Sequence, residues 1–226
     1  GTNNNCECAQ CVRARPSDFY VMMLNELDRR LSEAGLATRI VFLIYVDLLW
    51  PPLEQTIVNK DRFVLMFAPI VRTYSETFEA GDTLPELPPF ERNKLAFPKS
   101  VDANVAFLKA WQAIFDGDSF DFDYHLMWDH SNDPGHMQIA RTIAADMQGL
   151  GKIGLNGYVS CQIQRIFLPT GLAMTVMGRT LWNAATDFDA VADDYFRSAF
   201  GADGPACRDY LERVSGLFDP VYIRGE

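Results

Sequence analysis

The chain has 226 residues, 48% of them hydrophobic and 22% charged, with a formal net charge of -10, enough for one large hydrophobic core or two smaller ones. An acidic surface with no compensating Lys/Arg cluster repels phosphate backbones, so nucleic acid is not an expected partner. No apolar run reaches the ~18 residues of a bilayer span, and the longest, Ile40 to Trp50, is interrupted by Asp47.

In chain order, the first feature is the stretch N-N-N-C-E-C-A-Q-C, with Cys6, Cys8 and Cys11 in C-x-C-x-x-C spacing. Three thiolates can ligate zinc or an iron–sulfur cluster, but a closed structural zinc site wants four ligands. No second cysteine pair supplies the fourth; Cys161 and Cys207 are isolated. The alternative is three reduced or partly paired cysteines that shape a loop. Five cysteines is an odd number, so this is not a disulfide scaffold. No metal and no cofactor is assigned.

Ser17 to Ala34 carries Tyr20, Met23, Leu24, Leu27, Leu31 and Ala34 at helical spacing, with Ser17 or Asp18 as cap and Gly35 as stop. Arg39 to Asp47 and Arg62 to Arg72 are short apolar runs rich in β-branched residues, which predict strands buried on both faces of a parallel sheet. Thr73 to Pro98, rich in Pro, Glu and Gly, predicts a long loop of the kind that is usually functional or disordered. Ser100 to Phe115 predicts a helix, Phe120 to His130 a third strand, Met137 to Met147 a helix and Ile153 to Gln162 a fourth strand. G-L-G-K-I-G, Gly149 to Gly154, spells G-x-G-x-x-G but follows a helix and opens a strand. That is the reverse of a dinucleotide fingerprint, and it reads as a helix stop and turn. Leu168 to Trp182, Phe188 to Phe200 and Pro205 to Phe218 close the chain as helices, with Asp187 and Asp203 as caps. Alternating strands and helices with buried strands argue for an α/β fold with a parallel sheet.

The third strand alternates cleanly. Phe120, Phe122, Tyr124, Leu126 and Trp128 take one side; Asp121, Asp123, His125, Met127 and Asp129 take the other. An acidic face is expensive under helices, so it is expected to line a pore or cleft. The remaining strands also end in polar groups: Tyr45 and Asp47, then Arg72, then Tyr158, Ser160 and Gln162. Ligands of α/β folds bind at the carboxyl ends of strands. Asp47 and Asp129 are therefore the candidate catalytic carboxylates, a pair that can divide acid and base roles as in glycoside hydrolysis. Tyr45, Trp50, Arg72, Asp123, His125, Trp128, His130, Tyr158 and Gln162 are the candidate substrate-binding residues. Aromatic rings there can stack on sugars, and Arg72 can hold an acidic group or keep an aspartate ionised. The competing reading is a structural Asp47–Arg72 ion pair with the tryptophans in the core. His125, His130 and His136, with Asp129 and Asp133, match no standard metal-ligand spacing.

C-E-C-A-Q-C followed by S-D-F-Y-V-M-M-L-N-E, through Cys6, Glu7, Cys8, Cys11, Ser17, Asp18, Asn25 and Glu26, resembles a bacterial family of glycoside-hydrolase-like proteins known as domain of unknown function 4838. The stretch Ile44 to Pro52 and the segment Gly178 to Gly201, with Leu181, Trp182, Asp187, Asp189, Tyr195, Phe200 and Gly201, are similar to later parts of that family. The resemblance implies the C-terminal half of a (β/α)8 TIM-type barrel, related to hexosaminidases and α-glucuronidases, in which these four strands are the fifth to eighth. Residues 1–184 would then form the half barrel and 185–226 the start of a helical appendage. In the related hexosaminidases an Asp-Glu pair closes the fourth strand, upstream of residue 1; here Glu7 sits between cysteines instead. The resemblance further implies a bacterial secreted or periplasmic protein acting on a carbohydrate. A half barrel exposes strand edges, so it is expected either to pair with a second copy or to join a missing N-terminal half. The expected function is glycoside hydrolysis by carboxylate acid/base chemistry. The alternative is a non-catalytic carbohydrate-binding or interaction module on a degenerate barrel.

Overall fold

A computed structural model describes residues 3–78, 83–127, 131–163 and 166–224. The chain forms helix α1 (Pro16–Glu33), strands β1 (Ile40–Ile44) and β2 (Phe63–Phe67), helix α2 (Val101–Gln112), strand β3 (Ser119–Leu126), helix α3 (Met137–Gly149) and strand β4 (Tyr158–Gln162). Helices α4 (Leu172–Trp182), α5 (Phe188–Phe200), α6 (Gly204–Gly216) and α7 (Pro220–Arg224) follow. The strands make a four-stranded parallel sheet in the order β1-β2-β3-β4. Parallel neighbours need long crossovers. Helices α2 and α3 serve β2–β3 and β3–β4, whereas β1 and β2 are joined by a segment with only two 3-10 turns, Val46–Leu48 and Lys60–Arg62.

The chain divides into two compact units: Gly1–Arg72 with Ala80–Phe122 and Gly154–Gly157, and Thr73–Glu79 with Asp123–Ile153 and Tyr158–Glu226. In the first, Pro16 opens α1, where its preset φ and missing N–H cost nothing. The cap is consequently Arg15, not Ser17 or Asp18; Asp18 lies inside the first turn and accepts the Arg15 N–H at 2.9 Å. The buried stripe of α1 is Ser17, Asp18, Val21 and Leu24. Met23 and Leu27, expected on that stripe, are 49% and 39% exposed. They belong to a second apolar strip with Phe19 and Met22 that faces out.

Phe42 and Ile44 of β1 and Phe63, Leu65 and Phe67 of β2 are fully buried, while Val41 is 50% exposed. The alternation in β1 corrects the expectation of burial on both faces: one face meets the core and the other is only partly covered. Register pairs Ile40 with Phe63 through Ile44 with Phe67, and Leu65 with Ser119 through Phe67 with Asp121. Around Phe42 the core is aromatic. Phe63 and Phe115 meet it edge-on at 6.1 and 5.0 Å between ring centroids, and Trp111 tilts against it at 5.9 Å. The Trp111 indole N–H donates to the carbonyls of Leu48 and Leu49, tying α2 to the turn that follows β1.

In the second unit, α3 packs on α4, α4 on α5, α5 on α6, and α6 returns to α3. Gly135 allows the last of these contacts, because a methyl there would overlap Leu211 O and Ser215. Asp187 caps α5 by accepting the Ala190 N–H at 2.7 Å, as expected; Asp203 precedes α6 but makes no side-chain cap. G-L-G-K-I-G is the end of α3, a 3-10 turn at Leu150–Ile153, and a left-handed Gly154 at φ 83°. No described helix is long and apolar enough to cross a membrane.

Candidate functional site

Each unit carries a cluster of chemically capable side chains. In the first, β1 ends at Ile44, Tyr45 is still extended, and Val46 then turns left-handed at φ 46°. A β-branched residue rarely takes that conformation, and it costs on the order of 1–3 kcal/mol, a strain typical of functional sites. The 3-10 turn that follows is closed by Leu48 N–H to Tyr45 O at 2.9 Å and Leu49 N–H to Val46 O at 3.0 Å. The strained turn therefore presents Asp47 straight off the carboxyl end of β1. Asp47 Oδ2 accepts from Asn5 Nδ2 at 3.0 Å. Its Oδ1 is buried and has no hydrogen-bond partner among the described residues, the rarer state for a buried acceptor.

Asn5 belongs to the cysteine loop, which is sewn to the segment before α2. Asn93 accepts the Asn5 N–H at 2.6 Å and donates to Asn5 O at 3.0 Å and to Glu7 Oε1 at 2.7 Å. The Arg92 guanidinium donates to Cys6 O at 3.2 Å and to Cys11 O and Ala14 O at 2.6 Å. Asn3 and Leu95 exchange two more hydrogen bonds. The Pro-rich loop is thus fastened at residues 92–95 by side-chain and backbone hydrogen bonds, although its described residues form no helix or strand. Within the cysteine loop the three sulfurs lie within 4.8 Å of one another. Backbone N–H groups of Cys11 and Gln10, then the neighbouring thiols, pull the Cys8 thiol down to about 7. The Cys11 thiol is pushed up to about 11, chiefly by Cys8 and then Cys6 beside it.

The second unit holds a buried polar chain. His125 on β3 is fully buried; its Nε2 lies 2.6 Å from Asp146 Oδ2 on α3, and its Nδ1 lies 2.9 Å from the Tyr158 hydroxyl on β4. Asp123 Oδ2 is 3.7 Å from the same Nδ1, and Tyr74 packs edge-on against the imidazole at 5.1 Å. Asp146 Oδ1 also accepts the Phe78 N–H at 2.7 Å. With Nε2–H donating to Asp146, Nδ1 is left to accept the Tyr158 O–H, a carboxylate–imidazole–phenol relay. Asp123, His125 and Asp146 offer ligand atoms close enough for a metal. In the arrangement present both imidazole nitrogens are engaged by protein groups, Nε2 by Asp146 and Nδ1 by Tyr158.

Of the residues expected to bind substrate, Asp123, His125 and Tyr158 come together here. Asp123 and His125 are fully buried and face protein partners, so the acidic side of β3 is internal where a lining was expected. Asp123 Oδ1 accepts the Tyr124 N–H at 2.9 Å. Trp50, expected to stack on a sugar, is 2% exposed, ringed by Phe90, Phe97 and Phe107, and donates to Pro88 O at 2.8 Å. Its ring is core, as the competing reading had it. Arg72 is fully buried, Tyr45 is half-buried, and Gln162 is exposed with its amide 3.1 Å from Met174 Sδ. Trp128, Asp129 and His130 lie outside the described residues. Asp133 and His136 stand at the start of α3. Asp133 caps α3 through Ile139 N–H at 3.0 Å and accepts the Ser215 hydroxyl at 2.5 Å, and His136 is the left-handed residue before the helix.

Sequence reasoning missed Asn5, Arg92, Asn93 and Asp146. Asn5 meets Asn93 across 88 positions of chain, and Arg92 reaches Cys6, Cys11 and Ala14 across 78–86, which no local pattern reveals. Asp146 had a legible signal: it falls three and four positions after Ile143 and Thr142, on the buried face of α3. In comparisons with known proteins, no family model, no curated protein and no solved structure matches this chain.

Proposed function

We propose that the chain is part of a glycoside hydrolase built on a (β/α)8-type half barrel, with Asp47 as an acid/base carboxylate. The observation that carries the reading is the strained Val46 turn, which sets a carboxylate with one unbonded oxygen at the carboxyl end of a parallel strand. Asn5 holds Oδ2 and leaves Oδ1 for a proton in transit. The sequential strand order β1-β2-β3-β4 supports a barrel-type winding, since an open doubly wound sheet reverses direction at a switch point. The resemblance of the C-E-C-x-x-C and S-D segments to glycoside-hydrolase-like proteins supports the substrate class. Asp129 is the proposed second carboxylate, and a secreted carbohydrate-active protein is the proposed setting.

The test is a panel of aryl glycosides with a full-length protein that contains this chain, as wild type, Asp47→Asn and Asp129→Asn, each checked for an unchanged unfolding transition. Loss of one acid/base carboxylate should lower kcat by about 100-fold or more. Unchanged turnover in both variants refutes the site. No hydrolysis by the wild type, alongside tight oligosaccharide binding, would favour a non-catalytic binding module.

A further inference from the structure

We propose that Cys6, Cys8 and Cys11 form a binding site for one thiophilic d10 cation of the zinc type, held by three thiolates with a fourth position open to solvent. The three sulfurs lie within 4.8 Å of one another, so small side-chain rotations bring them to the ~3.8 Å spacing at which three thiolates share one tetrahedral ion at ~2.3 Å. All three are free cysteines, Cys6 and Cys8 exposed and Cys11 half-buried, so an ion can enter from solvent. The cluster is also built rather than accidental. Arg92 gathers the carbonyls of Cys6, Cys11 and Ala14, Val12 N–H closes back on Cys8 O at 3.1 Å, and the Cys8 N–H points at Cys6 Sγ at 3.5 Å. Amides aimed at sulfur stabilise thiolate over thiol, as outer-shell donors do around metal sites.

Soft sulfur ligands select zinc or copper(I) over magnesium and calcium. Glu7, the one carboxylate inside the motif, is engaged by Asn93 and is not counted among the ligands. Cys161 pairs with Met127 Sδ at 3.3 Å in the other unit and is not counted either. The open fourth position therefore falls to water or an exogenous ligand. On loading, three S–H bonds are replaced by three metal–sulfur bonds and the protons pass to buffer; no oxidant or reductant is consumed.

The experiment uses the full chain, stripped of metal and kept reduced, titrated with Zn2+ against a chromogenic chelator and, separately, with Co2+. The expected result is one Zn2+ per chain and a thiolate-to-cobalt charge-transfer band in the near ultraviolet. Both should be unchanged in a Cys161→Ser/Cys207→Ser double variant. Cys6→Ser or Cys8→Ser, each at an exposed position and so tolerated by the fold, should weaken binding by about tenfold or more. Equal Zn2+ uptake by wild type and both single variants overturns the proposal. So does a chain that takes up no zinc when reduced and forms only a disulfide within the motif when oxidised.

Discussion

Asp18 offers the sharpest quantitative test. Its Oδ1 accepts three consecutive backbone N–H groups, from Leu53, Glu54 and Gln55, at 3.0, 2.9 and 3.1 Å, and its Oδ2 accepts the Arg15 N–H at 2.9 Å. One 2% exposed side chain thus holds the start of α1 and the turn beyond Pro52. Asp18→Ala strips a partner from all of these donors. Leu53 and Glu54 are exposed, so water replaces the carboxylate there and each lost bond costs about 1 kcal/mol rather than a full desolvation penalty. The expected loss is about 3–4 kcal/mol by the same reckoning, read as a lowered urea midpoint at unchanged slope. Asp18→Asn keeps an acceptor for the turn but sets an amide N–H against the Arg15 N–H, so it should lose roughly half as much. The pH dependence has a definite sign. Burial opposes ionisation of Asp18, but the four backbone hydrogen bonds outweigh it and bring the carboxyl below its ordinary range. A group whose folded pKa is depressed contributes stability that is present above the unfolded value, ~3.9, and lost as pH falls through the folded one. Wild type should therefore lose more stability than Asp18→Asn on acidification below about pH 4. An Asp18→Ala midpoint within about 0.5 kcal/mol of wild type would refute this reasoning.

The other predictions concern each unit in turn. Phe42→Ala empties the centre of the aromatic cluster formed with Phe63, Trp111 and Phe115 and should cost about 3–5 kcal/mol in chemical denaturation. Asp146→Ala leaves His125 Nε2 and the Phe78 N–H without their buried acceptor and should cost about 2–4 kcal/mol, seen as a lower Tm in scanning calorimetry. In the metal-free chain, Cys8 should alkylate ahead of Cys11, with its rate rising through pH 7, whereas Cys11, pushed up to about 11, should lag until strongly alkaline pH. Peptide mapping after a timed iodoacetamide pulse reads the order directly, and simultaneous labelling would contradict it.

Local pattern alone determined most of the elements. Helix α5 has the bounds its periodicity predicts, α3 and α6 differ by a few residues at the ends, and Asp187 is the cap expected of it. These features rest on hydrogen bonds and side-chain spacing within a few residues, so a single sequence suffices to read them. The parallel sheet was legible for the same reason, through its short β-branched runs. Tertiary structure decided what those elements face. It turned Met23 and Leu27 outward, closed phenylalanines over Trp50, and buried the acidic side of β3 against His125 and Asp146. It also decided that the three cysteines share one small volume and that Asn5 reaches Asp47 across 42 positions of sequence. Burial and hydrogen-bond partnership depend on which distant segments arrive at a residue, and composition, spacing and periodicity carry no record of that arrival.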